Sequence, residues 1–321
     1  MDHGMTEQLN VQQMAQRLTA ADNILILCHK NPDGDTIGCG SALYYALKAL
    51  DKNAAVLCSD AIPSRYAFTN ARLFKGEFEP KTVVAVDVAS VQLFGEGNGV
   101  PQFSRHVDLC IDHHAGNSGY ADFTLLDGGA AAAAELLYEV ICAMGVDITP
   151  HIADCLYTGL ATDTGCFRYA NTTAHTFATA AACAQAGARV YELNMDLFET
   201  NTLSRLKMQG WIVDNMKMLR DGKMCICAIP RAVEKAMGVT GDDMDNISSF
   251  PRTVAGVCLA ATLRESDTGT VKLSVRAIPG YDATRVTVPF GGGGHKGAAG
   301  GTINMPLAEA TKAVERIMLE M

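Results

Sequence analysis

Four short segments, each beside a run that reads as regular structure, gather side chains that could bind a metal or move a proton. The first is the stretch HKNPDGD at 29–35, with His29, Asp33 and Asp35, directly after an apolar run. Pro32 and Gly34 favour a loop there, and a loop can turn one imidazole and two carboxylates toward a common point. The second is Asp87, near the end of TVVAVDV at 82–88. A carboxylate at the end of a buried strand is costly without a partner. The third is Asp112, His113 and His114, after VDLCI at 107–111, where adjacent imidazoles behind an aspartate suit a metal ligand plus an acid–base group. The fourth is Asp163, followed by Thr164 and Gly165, after residues 152–161. Taken singly, each has an ordinary explanation: an Asn-Pro-Asp-Gly turn, a helix cap, a surface His-His pair, a helix-terminating turn. Four such clusters in order, each behind a regular element, are hard to explain as independent accidents. Carboxylates mixed with imidazoles suit Mn2+, while Mg2+ tolerates the carboxylates but favours fewer histidines.

The clusters need elements to hold them. Residues 23–28, 54–58, 82–88 and 107–111 are short, apolar runs, the mark of strands covered on both faces. Residues 35–41 are glycine-rich, and 42–50, 130–144 and 152–161 read as helices. Buried strands alternating with helices predict an α/β domain with a parallel sheet, over 1–190. Ligands of such sheets bind at the carboxyl ends of strands. The pattern changes near Ala188. Residues 202–215 read as a helical linker, and 216–219 and 223–229 flank Asp221 and Gly222, a hairpin signal. Residues 254–264 and 271–278 flank a turn with Asp267 and Gly269. A smaller α+β domain with an antiparallel sheet is therefore expected over 211–321.

Composition narrows the class. With 48% hydrophobic and 19% charged residues in 321, the chain reads as a two-domain globular protein. No uncharged apolar run reaches ~18 residues and residues 1–19 lack a signal-like apolar stretch, so a cytoplasmic protein without a membrane span is expected. Eleven cysteines, with no Cys-x-x-Cys pair, argue for reduced, mostly buried thiols rather than a thiolate zinc site. The net charge of −9, with no Lys/Arg-rich block, makes long duplex nucleic acid a poor partner. A small phosphorylated ligand held by metals and a few arginines fits. His3, His106, His151 and His175 read as structural or surface, Trp211 as packing, and Arg264 and Lys296 as solvated or functional alike. The glycines at 291–294 would let backbone N–H groups approach a phosphate, with His295 beside them.

The stretches HKNPDGD (29–35), AVDV (85–88), DHH (112–114) and ATDTGCF (161–167) resemble the four motifs of the DHH phosphoesterases, and FGGGGHKGAAGG (290–301) resembles the signature of the DHH-associated C-terminal domain. The nearest branch is the one of nanoRNases, 3′-phosphoadenosine 5′-phosphate (pAp) phosphatases and cyclic-dinucleotide phosphodiesterases. The resemblance implies two Mn2+ (or Mg2+) per site. His29, Asp33 and Asp87 would hold one, and Asp35, Asp87, His113 and Asp163 the other, with Asp87 bridging. It implies hydrolysis by an activated water, with His114 contacting the phosphoryl group or protonating the leaving oxygen, and Asp112 orienting a histidine. Ser274, Arg276, Gly292, Gly293, Gly294 and His295 would bind substrate, although Ala277 stands where the family often has a second serine. Short RNA, linear or cyclic dinucleotides and pAp are the implied substrates, and a homodimer is compatible with the sequence. An inorganic pyrophosphatase of this family would carry a Ser-Arg-Lys-Lys signature, which is lacking. A processive exonuclease would want further basic domains. A non-catalytic nucleotide sensor should have lost ligands, yet all six ligand positions carry usable side chains.

Overall fold

The aliphatic run ILIL forms a fully buried strand in the computed structural model, which describes residues 6–244 and 246–321. It is β2 (Ile24–Leu27) of a six-stranded, all-parallel sheet with β1 (Glu7–Gln8), β3 (Ala54–Leu57), β4 (Thr82–Val86), β5 (Leu109–Asp112) and β6 (Phe123–Leu126). The order is β1-β6-β5-β4-β2-β3. Alternate side chains of β2 feed two cores. Ile24 and Ile26 pack in the larger one and Leu25 and Leu27 in the smaller one, so both faces are covered. The helices of this unit are α1 (Val11–Ala20), α2 (Gly34–Ala49), α3 (Val100–Phe103), α4 (Ala133–Ala143), α5 (Pro150–Asp163), α6 (Ala174–Gln185) and α7 (Val190–Asn194). The parallel α/β expectation holds. Helix α2 starts at Gly34 rather than at 42, so the glycine-rich stretch is helical. Gly38 explains why: a Cβ there would lie 2.3 Å from the Cys155 carbonyl oxygen of α5, so the glycine allows two backbones to touch.

The first compact unit ends at Thr200, and the second runs Asn201–Met321. Its helices are α8 (Leu203–Asn215), α9 (Arg231–Met237), α10 (Thr284–Thr287) and α11 (Leu307–Leu319). Its strands are β7 (Lys217–Leu219), β8 (Met224–Ile229), β9 (Leu259–Glu265), β10 (Val271–Ala277), β11 (Gly293–Gly294) and β12 (Ala298–Ile303), ordered β11-β12-β10-β9-β8-β7. The hairpin at Asp221 and Gly222 forms, with Arg220, Asp221 and Gly222 all at positive φ. The sheet is mixed rather than antiparallel, because β8 and β9 run parallel. Helix α9 and three short 3-10 turns fill the crossover between them. Helix α8 belongs to this unit's packing: Met208 and Ile212 bury against Cys227, Ile229, Met244 and Ile247, with Trp211 at the edge. All eleven cysteines are free and eight are buried. No helix among the described residues is long and apolar enough to cross a membrane.

Candidate active site

The candidate residues sit where strands or helices of the first unit begin or end. His29 follows β2, Asp87 follows β4, Asp112 ends β5 and Asp163 ends α5. Asp33 caps α2, its Oδ1 accepting from the N–H groups of Asp35 and Thr36 at 3.1 and 3.2 Å. Asp87 takes φ +57°, a left-handed turn that a non-glycine residue adopts at a cost of about 1–2 kcal/mol. After Asp163, Gly165, Cys166 and Phe167 hold φ of 56°, 58° and 61°, three left-handed residues in succession.

The side chains converge. His29 Nε2 lies 3.5 Å from Asp33 Oδ1 and 3.6 Å from Asp87 Oδ2. His113 Nε2 lies 3.5 Å from Asp87 Oδ1, 3.2 Å from Asp163 Oδ2 and 3.9 Å from Asp35 Oδ2. The two oxygens of Asp87 thus face two different groups, one with His29 and Asp33, the other with His113. Donor atoms of His29, Asp33 and Asp87 lie within 4.8 Å of one another, as do those of Asp35, His113 and Asp163, and those of Asp87, His113 and His114.

Tautomers are set from behind. His29 Nδ1 lies 2.8 Å from the Lys30 carbonyl and His113 Nδ1 lies 3.1 Å from that of Ala130, so both rings present Nε2 to the carboxylates. His114 Nδ1 lies 2.8 Å from Asp112 Oδ1. Asp87 Oδ1 and His113 Nε2 are buried without a hydrogen-bond partner. Two such atoms 3.5 Å apart, amid carboxylates, are a donor set that divalent cations fit.

Electrostatics point the same way. Burial opposes charge on His29, but Asp33 and Asp87 outweigh it and raise its pKa to about 11. Burial likewise opposes His113, and Asp163 and Asp87 raise it to about 12. Burial lifts Asp163 to about 6, with Asp33 and Asp87 adding repulsion, and lifts Asp35 well above the carboxylate range, with Asp87 and Asp163 adding. Crowded carboxylates in a dry site take up protons unless cations balance them.

Asp35 has a second employment. Its Oδ2 accepts from Ala133 N–H at 2.6 Å and its Oδ1 from Ala134 N–H at 3.1 Å, so it caps α4, whose own Ala132 offers no side-chain cap. The Cys39 thiol lies 3.2 Å from Oδ1. Thr36, which the sequence reading missed, ties two motifs: its hydroxyl donates to the Val86 carbonyl at 3.0 Å and accepts from His29 N–H at 3.3 Å. Its only sequence signal is its place directly after HKNPDGD.

In the second unit, Ser274 and Arg276 share one face of β10, opposite the face of Leu273 and Val275 that is buried in the core. Arg276 Nε donates to Ser249 Oγ at 3.2 Å, a partner from a separate 3-10 turn with no local sequence signal. The glycine segment differs from expectation. The amides of Gly291, Gly292 and His295 are taken by the carbonyls of Val288, Thr287 and Ala298, while Gly293 and Gly294 pair with Gly300 and Ala299. Its glycines serve close backbone approach: a Cβ on Gly292 would lie 2.4 Å from the Gly300 carbonyl oxygen. His295 and Lys296 stand exposed at the turn. Arg264 pairs with the buried Glu234 at 2.8 Å. Among the other histidines, His106 pairs with Asp108 and Asp122, His151 with the Thr69 carbonyl, and His175 with Glu139. His3 lies outside the described residues.

Residues 23–160 match the DHH family, N-terminal domain, and residues 222–320 match the DHHA1 domain. The chain is 30% identical over 313 residues to the bifunctional oligoribonuclease and PAP phosphatase NrnA of Thermus thermophilus, covering 95% of this chain and 91% of that one. It is 23% identical over 296 residues to the protein of the same description from Bacillus subtilis, covering 91% and 92%. An exopolyphosphatase-related protein from Bacteroides fragilis superposes with a TM-score of 0.87 at 25% identity, over 97% of this chain and 96% of that one. RecJ from Thermus thermophilus, solved in complex with Mn2+, shares the fold at a TM-score of 0.56 and 13% identity, over 99% of this chain and 55% of that one.

Proposed function

The chain belongs to the DHH family, as a hydrolase of phosphoester bonds, and from that premise we propose that it is a divalent-metal-dependent enzyme that cleaves short oligoribonucleotides and dinucleotides to mononucleotides and also dephosphorylates pAp. The observation that carries the metal dependence is Asp87, whose two oxygens face two donor groups while Oδ1 finds no hydrogen-bond partner. The named activities of the Thermus and Bacillus relatives support the substrates.

His29, Asp33 and Asp87 would hold one cation, and Asp35, Asp87, His113 and Asp163 the other. Bound there, Mn2+ supplies Lewis-acid stabilisation of phosphoryl oxygens and makes a water acidic enough to attack at neutral pH. The chain's own contribution is orientation. Asp112, buried, accepts from His114 N–H and lies against Nδ1, which leaves Nε2 as the ring's working nitrogen. The Asp112 contact, against the opposition of burial, raises the His114 pKa, which favours a proton on the ring. His114 would then contact the phosphoryl group or protonate the leaving oxygen. Ser274, Arg276 and His295 would grip a further phosphate, the arginine as a charge-assisted donor.

The test is a substrate panel on protein stripped with a chelator and resupplied with Mn2+ or Mg2+: pAp, pApA, pGpG, five-nucleotide RNA, cyclic dinucleotides and inorganic polyphosphate. AMP release from pApA and pAp is expected, falling to background in Asp87→Ala. Turnover of polyphosphate alone, or tight dinucleotide binding with no hydrolysis, would replace this reading.

A further inference from the structure

The loop after β5 carries a side chain that the motifs do not include. Asn117 Nδ2 donates to Asp112 Oδ2 at 2.5 Å and to the Val88 carbonyl at 3.3 Å, while its Oδ1 accepts from Gly119 N–H at 2.8 Å. An N–H fixes one end of the amide and two oxygens fix the other, so its orientation is determined. The other oxygen of Asp112 serves His113 N–H, His114 N–H and His114 Nδ1. Without Asn117, a fully buried carboxylate oxygen would lose the partner that holds its plane. The second contact matters as much. Val88 follows the left-handed Asp87, and its carbonyl also accepts from the Tyr120 hydroxyl at 2.8 Å, while Ser118 N–H donates to the Ala89 carbonyl at 2.9 Å. One amide therefore ties the strand end that carries Asp87 to the carboxylate that orients His114, whose Nδ1 lies 3.5 Å from Asp87 Oδ1.

We propose that Asn117 is a positioning residue for phosphoester hydrolysis, fixing the Asp112 carboxylate and through it the His114 ring relative to Asp87. The proposal rests on the hydrolytic reading above, and its test separates the two. Asn117→Leu removes donor and acceptor at similar volume. With pApA and Mn2+, kcat is expected to fall about ten- to hundredfold, the usual loss for a partner behind an active-site histidine, with KM within about threefold. In a His114→Ala background the same change is expected to cost less than about twofold, because the residue it acts through is gone. In 15N-histidine spectra of the Mg2+-loaded protein, the His114 Nδ1–H signal, assigned by its loss in His114→Ala, should shift or broaden. Asn117→Asp keeps the acceptor for Gly119 N–H and so the turn, and serves by the same criteria if the leucine variant does not melt cooperatively. A kcat within about twofold of the parent, or the same loss with and without His114, overturns the proposal. If the parent turns over no pApA, the hydrolytic reading fails instead, and an unchanged His114 Nδ1–H signal in Asn117→Asp then overturns the role of Asn117 independently.

Discussion

His29 and His113 hold their protons, with pKa values near 11 and 12, because carboxylates face the same nitrogens a cation would use. A cation must displace those protons. Loading Mn2+ at pH 7 is therefore expected to release protons from both imidazoles and from the crowded Asp35 carboxyl, and affinity should rise with pH as proton competition fades. A pH-stat titration checks both, and the expectation fails if no protons are released or affinity falls with pH. At this scale much of the site was legible, since each candidate interrupts or ends a regular run and carries an unmistakable side chain. What was not legible depends on residues remote in sequence. Asp35 caps α4 through amides 98 and 99 residues away, and Ser249 reaches Arg276 across 27. The glycines at 291–294 read as phosphate donors, but sequence does not reveal that internal carbonyls already take the amides of Gly291 and Gly292.

Among elements, the tightest pairing is α2 on α5. Gly38 meets the Cys155 carbonyl there, and Gly34 sits against Thr162, where a Cβ would lie 2.4 Å from the methyl carbon. Gly38→Ala forces a methyl into backbone and is expected to cost about 1–3 kcal/mol, because the facing atom cannot rotate away. A lower midpoint in calorimetry or urea measures it, and an unchanged midpoint would mean that the helices separate freely. Strands β2, β3, β4 and β5 were legible as short apolar runs. Strand β1 was not, because its two exposed polar residues carry no pattern, and β6 went unread although it is as long as β2. Helix α2 was placed late because glycines lower helix propensity, whereas here close packing repays them.

For the whole molecule, each unit has its own buried cluster, and every candidate metal group among the described residues lies in the first. Residues 201–321 expressed alone are expected to melt cooperatively and to show no Mn2+ effect. The full chain should gain about 2.7 kcal/mol for each cation site at Mn2+ a hundredfold above that site's Kd. Equal Mn2+ shifts in both would contradict that division. The sequence changes pattern near Ala188 and the first compact unit ends at Thr200, while the parallel β8–β9 pairing was not readable, because sequence reveals a crossover only when its filling is recognised as one.

The double employment of Asp35 bears on how this protein should be dissected. Replacing that carboxylate would unpick the start of a helix as well as empty a ligand position, so a dead Asp35 variant could not distinguish lost chemistry from lost architecture. Asp163, whose side chain meets His113 at the last residue of α5, is the cleaner place to cut.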